Sequence, residues 1–252
     1  MTVLEEFSLE GKTAVLATRE PTKNAALTPC LVEALEEAGA TVRVLASSYE
    51  ELSRATSGRE GASGAVCDAA EEAAVQASVS DVMGEWGRID ILVNNFQTLF
   101  AKPVTQVDLS EFQAVMDRNV RSVFLMCREV GRAMVQAGKG RIINITSGLA
   151  ERGLWNSAVY CASQGAVLQL TRSLALEWGR SGVRVNAIGA GWFSSEEPSE
   201  EAQRELLVRY IPLRRKGHPR DIGPLLVYLS SDSCDYTTGQ PVYVDGGLMA
   251  HP

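Results

Sequence analysis

Histidine is nearly missing from this chain: its 252 residues include two, His218 and His251. A histidine-based triad or metal centre would have to use one of them. They stand in a Gly-His-Pro stretch and at the penultimate position, where a loop and a tail are expected. The five cysteines (Cys30, Cys67, Cys127, Cys161 and Cys234) are scattered, odd in number and without a Cys-x-x-Cys pair. That pattern excludes a disulfide framework and gives no metal site. No apolar run approaches the ~18 residues needed to span a bilayer. The opening Met1-Thr2-Val3-Leu4-Glu5-Glu6 is acidic where a signal peptide would be basic. A cytoplasmic protein without a membrane partner is expected. Basic residues are also in deficit, 24 against 31 acidic for a formal net charge of −7, which disfavours nucleic-acid binding.

What is present is an alternation of short β-branched apolar runs with longer helical patterns. Strands are expected at Thr13–Thr18, Thr41–Ala46, Gly64–Cys67, Ile89–Asn94, Arg141–Thr146, Val183–Ile188 and Pro241–Val244. The central runs are apolar almost throughout, as strands covered on both faces should be. Helical patterns fall at Leu31–Glu37, Ala70–Trp86 and Leu109–Ala137. This order implies an α/β fold, a single Rossmann-type doubly wound parallel sheet of about seven strands, with residues 1–252 as one domain. In such a sheet the loops after the strand C-termini form the ligand crevice. The irregular segment Gly191–Ser199 is one of them and is expected to cover substrate, with Ser199 capping a following helix.

Several short runs resemble, in order, those of the short-chain dehydrogenase/reductase family. They are Val93-Asn94-Asn95, Asn119 within Asp117-Arg118-Asn119-Val120, Ile143-Asn144-Ile145-Thr146-Ser147, Tyr160 thirteen residues beyond Ser147, Arg184-Val185-Asn186-Ala187-Ile188, and Val242-Tyr243-Val244-Asp245-Gly246-Gly247. The resemblance implies that Ser147 holds a substrate oxygen, Tyr160 is the acid/base and Asn119 completes the catalytic set. A serine hydroxyl both donates and accepts, and a phenol relays a proton if its pKa suits the working pH. On the cofactor side the resemblance implies Thr18, Asp68, Asn94 and Ser195. It further implies a homodimer or homotetramer through helices around Val123–Gln136 and Ala158–Gly179, with Cys127, Met134, Leu168, Leu170 and Leu174 as apolar surface or core.

The chain departs from that family's pattern at five places. Where the family has a glycine-rich turn after the first strand, this chain reads Thr18-Arg19-Glu20-Pro21-Thr22-Lys23-Asn24-Ala25-Ala26-Leu27-Thr28-Pro29, with no glycine between Gly11 and Gly39. Such glycines let the backbone approach a pyrophosphate. Pro29 suits a first helical turn, so a helix N-terminus able to take an anion is retained, with Arg19 and Lys23 near it in sequence. Phe96-Gln97 replaces a small pair. Leu45-Ala46-Ser47-Ser48 has neither an acid for a ribose nor an arginine for a 2′-phosphate. Ala190-Gly191 replaces Pro-Gly. Gln164 stands where the family has the lysine that assists Tyr160. With a reference pKa near 10, an unassisted phenol is roughly 0.1% ionised at neutral pH, and forcing ionisation costs about 4 kcal/mol.

These departures lead to the expectation of a non-redox enzyme on the dehydrogenase scaffold, without a dinucleotide cofactor. In that reading Ser147, Tyr160, Gln164 and Asn119 act on an alcohol, epoxide, halohydrin or carbonyl substrate. Halohydrin dehalogenases are similar in keeping Ser and Tyr and in a C-terminal region like Ser233-Cys234-Asp235-Tyr236-Thr237-Thr238-Gly239-Gln240. The alternative is an NAD(P)-dependent oxidoreductase with a degenerate cofactor loop, and a further one is a catalytically silent partner. Phe96, Trp155, Trp192 and Phe193 fall near the crevice loops and predict an apolar substrate pocket.

Overall fold

Strand alternation builds the molecule around one seven-stranded parallel sheet. The computed structural model describes residues 2–20, 27–56, 63–196 and 205–250. The strands are β1 (Thr13–Arg19), β2 (Thr41–Ala46), β3 (Ser63–Val66), β4 (Ile91–Phe96), β5 (Gly140–Ser147), β6 (Val183–Ala190) and β7 (Pro241–Val244), in the order β3-β2-β1-β4-β5-β6-β7. All the pairings are parallel. The sheet is therefore doubly wound, and its strand order reverses between β1 and β4, the switch point at which such sheets open a ligand crevice.

Side chains two apart share a face of a strand, and here the two sets enter two cores. Ala14, Leu16, Ile91, Val93, Ile143 and Ile145 pack on the face covered by α1 (Thr28–Glu37) and α8 (Gly223–Ser230). Val15, Ala17, Leu92, Phe96 and Ile142 face α3 (Glu72–Trp86), α5 (Ser122–Ala137) and α6 (Ala158–Trp178). Fully burying a side chain such as Leu16 or Ile91 contributes about 2 kcal/mol. The remaining helices are α2 (Tyr49–Thr56), α4 (Leu109–Met116) and the short α7 (Leu206–Arg209).

Three differences from the sequence reading matter. β4 begins two residues later than expected, because Asp90 is spent on an edge clasp in which its carboxylate accepts from the Thr13 backbone N–H and hydroxyl. The helical stretch Leu109–Ala137 is interrupted by a π-turn over Asp117–Arg121, which turns Asn119 inward. Cys127, Met134, Leu168 and Leu174 are all buried in the monomer, whereas Phe124 and Leu176 are the large exposed apolar side chains of α5 and α6. Among the described residues no helix is long and apolar enough to cross a membrane. Lys23, Ser199 and His251 lie outside the described residues. His218 caps a short helical turn, its Nδ1 accepting from the Arg220 N–H.

Candidate active site

Strand ends deliver most of the site. Ser147 ends β5, and Tyr160 lies in the first turn of α6, on the helical stripe Tyr160, Ser163, Gln164, Val167, Leu168 and Thr171 that faces the sheet. Both line one cavity of about 550 Å³ at the C-terminal edge of the sheet. Its wall runs from Glu20 beyond β1, past Gln97 beyond β4, to Ala190 and Gly191 at β6 and Asp245 beyond β7. Gly191 is required there: a Cβ would stand 2.6 Å from the Asp245 Cα.

Tyr160 is 3% exposed, and burial pushes its phenol up to about 12, with the neighbouring Ser147 hydroxyl drawing it partly back. Ser147 Oγ also accepts from the Leu149 N–H at 3.2 Å. At neutral pH the tyrosine is a proton donor placed beside a second hydroxyl, so a substrate oxygen between them is held by one and protonated by the other.

Gln164 does not reach the cavity. It is fully buried; Thr146 Oγ1 donates to its Oε1 at 2.9 Å, and its Nε2 has no partner among the described residues. Asn119 braces two segments of the site. Its Oδ1 accepts from Thr98 N at 2.8 Å, and its Nδ2 donates to Thr98 O and to Ser163 Oγ, both at 3.0 Å. It ties the loop after β4 to the helix that carries Tyr160.

The expected cofactor residues divide by strand face. Asn94 shares its face with Leu92 and Phe96, so its amide points into the α5 side, donating to Asn144 Oδ1 at 2.9 Å and lying 3.3 Å from Cys127 Sγ. Asn95, paired in register with Thr18, lies on the opposite face at the C-terminal end of β4. Phe96 is core for the same reason as Asn94. Trp155 is 87% exposed and stands outside the cavity wall, as does the exposed Ser195, while Trp192 and Phe193 do line it. Asp68 accepts from Arg19 Nη1 at 3.3 Å and from the Ala70 N–H.

Sequence reading missed Glu20 and Glu51. Glu20 Oε1 accepts from Leu27 N at 2.8 Å and Oε2 from Thr28 N at 3.1 Å, so the carboxylate sits on the N-terminus of α1. Asn95 Nδ2 donates to the same Glu20 Oε1 at 2.8 Å. Burial raises the Glu20 pKa above its ordinary value, opposed by these hydrogen bonds. Glu51 Oε1 accepts from Glu20 N at 2.6 Å and from Thr18 Oγ1, and its Oε2 from Ser47 N and Oγ. A carboxylate accepts only, so Thr18 donates to Glu51 and accepts a hydrogen bond from the Thr28 hydroxyl, which in turn accepts from Asn95. The available signal was a glutamate in a glycine-free stretch between a strand and a helix N-terminus.

A family model described as enoyl-(acyl carrier protein) reductase matches residues 25–249. A short-chain type dehydrogenase/reductase from Mycobacterium marinum superposes with a TM-score of 0.87 at 31% identity, covering 98% of this chain and 99% of that one. The chain belongs to the short-chain dehydrogenase/reductase family. A gluconate 5-dehydrogenase from Burkholderia cenocepacia, in complex with NADP and tartrate, superposes with a TM-score of 0.86 at 29% identity, each chain covered in full. A 2-dehydro-3-deoxy-D-gluconate 5-dehydrogenase of Pseudoalteromonas atlantica is 35% identical, over 98% of this chain and 99% of its own.

These relatives overturn two expectations. Dehydrogenases matched over full length, one of them holding NADP, replace the non-redox, cofactor-free reading and give the dehalogenase resemblance no support. The glycine loop and the lysine are absent from this short-chain dehydrogenase/reductase, but the helix N-terminus and the Ser/Tyr pair are kept. The fit to a dinucleotide is uneven along the crevice. Ser147, Tyr160, Gln97 and Gly191 leave open space at the reacting end. At the diphosphate end the helix donors are taken by Glu20 for as long as it stays seated.

Proposed function

We propose that this protein is an NAD(P)-dependent oxidoreductase that interconverts a secondary alcohol and its ketone, acting on a small molecule with a largely apolar body. The observation that carries the reading is the shared placement of Ser147 and Tyr160 on the wall of one cavity at the C-terminal edge of a doubly wound sheet. The full-length likeness to dehydrogenases supports the redox class.

The dinucleotide, when bound, supplies or receives a hydride at the substrate carbon. The N-terminus of α1 with Thr18, Thr28 and Asn95 would hold its diphosphate and Asp68 its adenine side, with Gln97 on the cavity wall beyond β4. Ser147 Oγ orients the carbonyl oxygen. Tyr160, neutral at working pH, donates its proton as that oxygen gains negative charge. The reverse direction asks Tyr160 to accept a proton as phenolate, which burial disfavours. At neutral pH the phenol is therefore in the form that ketone reduction uses.

Leu99, Leu149, Leu154, Trp192, Phe193 and Met249 make the substrate end apolar, with Arg152 the one cation among the described lining residues. That lining suits an aryl or alkyl ketone, with or without a carboxylate, better than the polyhydroxylated acids named for its relatives. The exposed Phe124 and Leu176 support assembly with further copies of the chain. The test is oxidation of NADH and NADPH by the purified protein with aryl ketones, alkyl ketones and 5-ketogluconate. Turnover of an apolar ketone is expected; no oxidation of either cofactor with any of them rejects the reading.

A further inference from the structure

We propose that Glu20 is a resident anion that competes with the dinucleotide's diphosphate for the N-terminus of α1, so that it sets the affinity for cofactor. The inference rests on the oxidoreductase reading above and concerns a residue that reading does not use.

A helix N-terminus offers an anion its first unpaired N–H groups and the positive end of the helix dipole. In α1 those donors are few. Pro29 has no N–H, and of the three N–H groups that precede the first helical bond those of Leu27 and Thr28 are given to the Glu20 carboxylate, one to each oxygen. An incoming diphosphate needs the same donors. Two anions cannot share them, so the cofactor binds only the fraction of molecules in which Glu20 has swung away.

The seat is built to hold this carboxylate. Asn95 is fully buried at the end of β4, and its Nδ2 bonds both Glu20 Oε1 and Thr28 Oγ1. The Glu20 backbone N–H is itself tied to Glu51, which is staked by Ser47 and Thr18. The arrangement also leaves a mark of incompleteness. Asn95 Oδ1 is buried with no partner among the described residues, although it stands at the crevice end of its strand. A buried carbonyl oxygen without a donor is costly, and a ligand hydroxyl arriving as Glu20 leaves would satisfy it. Glu20 and Gln97, whose Nε2 is likewise unpartnered, line the same cavity as Ser147 and Tyr160. The contest for the seat is thus continuous with the reaction site.

If a tenth of the molecules have Glu20 unseated, the apparent Kd is raised about tenfold over the intrinsic one. The experiment is calorimetric titration of NADH and NADPH into the full chain as wild type and as Glu20→Gln and Glu20→Ala. Inorganic pyrophosphate is tested in parallel by its shift of the melting temperature. Glu20→Gln keeps the shape and one acceptor while removing the charge. Glu20→Ala removes the carboxylate outright, so that folding failure of one variant leaves the other to decide. The expected result is dinucleotide binding roughly tenfold or more tighter in the variants, with pyrophosphate raising the melting temperature of Glu20→Gln more than that of wild type. Equal or weaker affinity in folded variants overturns the competition and leaves the oxidoreductase reading intact. Absence of binding by wild type and all folded variants at millimolar ligand overturns both.

Discussion

Tyr160 and Gln164 stand one turn apart on the buried face of α6, and their side chains are committed to different neighbours. The phenol adjoins the Ser147 hydroxyl, whereas the glutamine carbonyl accepts from Thr146 Oγ1 at 2.9 Å and its residue is sealed from the cavity. No cation accompanies the phenol from this position, and burial holds its pKa near 12. Reduction needs the protonated phenol and oxidation the phenolate. Reduction should therefore be flat in pH through neutrality and fall only as pH nears about 12. Alcohol oxidation should climb about tenfold per pH unit below that value. Initial rates in both directions across pH check this. A plateau of oxidation near pH 7 would show that some other group ionises Tyr160.

Gln164→Lys tests the same relationship from the other side. An ammonium within reach of the phenol lowers its pKa, and each unit of decrease raises the phenolate fraction about tenfold. Oxidation near neutral pH should rise while reduction changes little. The pH profile of oxidation, shifted to lower pH, distinguishes this from a change in folding. The residue is fully buried, so a loss of several degrees in melting temperature is the expected accompaniment.

Tyr160→Phe removes the proton donor but keeps the ring that fills its site. Its kcat/KM for ketone reduction should fall by roughly 10²–10⁴ with the melting temperature nearly unchanged. Ser147→Ala should act in the same direction. An undiminished rate in Tyr160→Phe would remove the tyrosine from the reaction.

The doubly wound parallel sheet was legible because near-continuous apolar runs alternating with helical patterns encode it. What a strand end does with its side chains was less so. Asn94 and Asn95 are adjacent and chemically identical, and only the register of β4 beside β1 decides which meets Thr18 and which meets Cys127. Glu20 was illegible for another reason: its partners are backbone N–H groups, which no residue identity announces. Phe96 and Trp155 show the limit of reading a pocket from aromatics near a crevice, since one fell on the core face of its strand and the other points to solvent.

Trp192 separates pocket from packing. It follows Gly191 beyond β6 and lines the cavity, whereas its neighbour Phe193 also packs on Gly217, where a Cβ would come within 2.8 Å of the Phe193 ring. Trp192→Ala should raise KM for an apolar ketone by about 10–200-fold, the range for losing one good apolar contact, with a smaller effect on a short aliphatic ketone. Steady-state kinetics on the two substrates check it. An equal effect on both would make Trp192 a structural residue.

Glu20 also leaves a trace in stability that needs no cofactor. Its surroundings are the α1 N–H groups of Leu27 and Thr28, the Asn95 amide on β4 and, behind its own backbone N–H, Glu51 on α2. Burial disfavours the ionised carboxylate and the N–H donors favour it; burial wins, so the folded pKa lies above the ordinary 4.5. A raised folded pKa means that the folded state binds the extra proton. The corresponding stability is fully present below about pH 4.5 and is lost as pH rises through the folded value. Glu20→Gln cannot ionise, so it lacks that loss while carrying a constant offset for its altered hydrogen bonds. The melting temperature of the variant minus that of wild type should therefore increase between about pH 4 and pH 7. A difference that shrinks over this range would mean that the helix N-terminus outweighs burial and holds Glu20 as a stable anion. In that case a diphosphate would face a firmer competitor than the one inferred here.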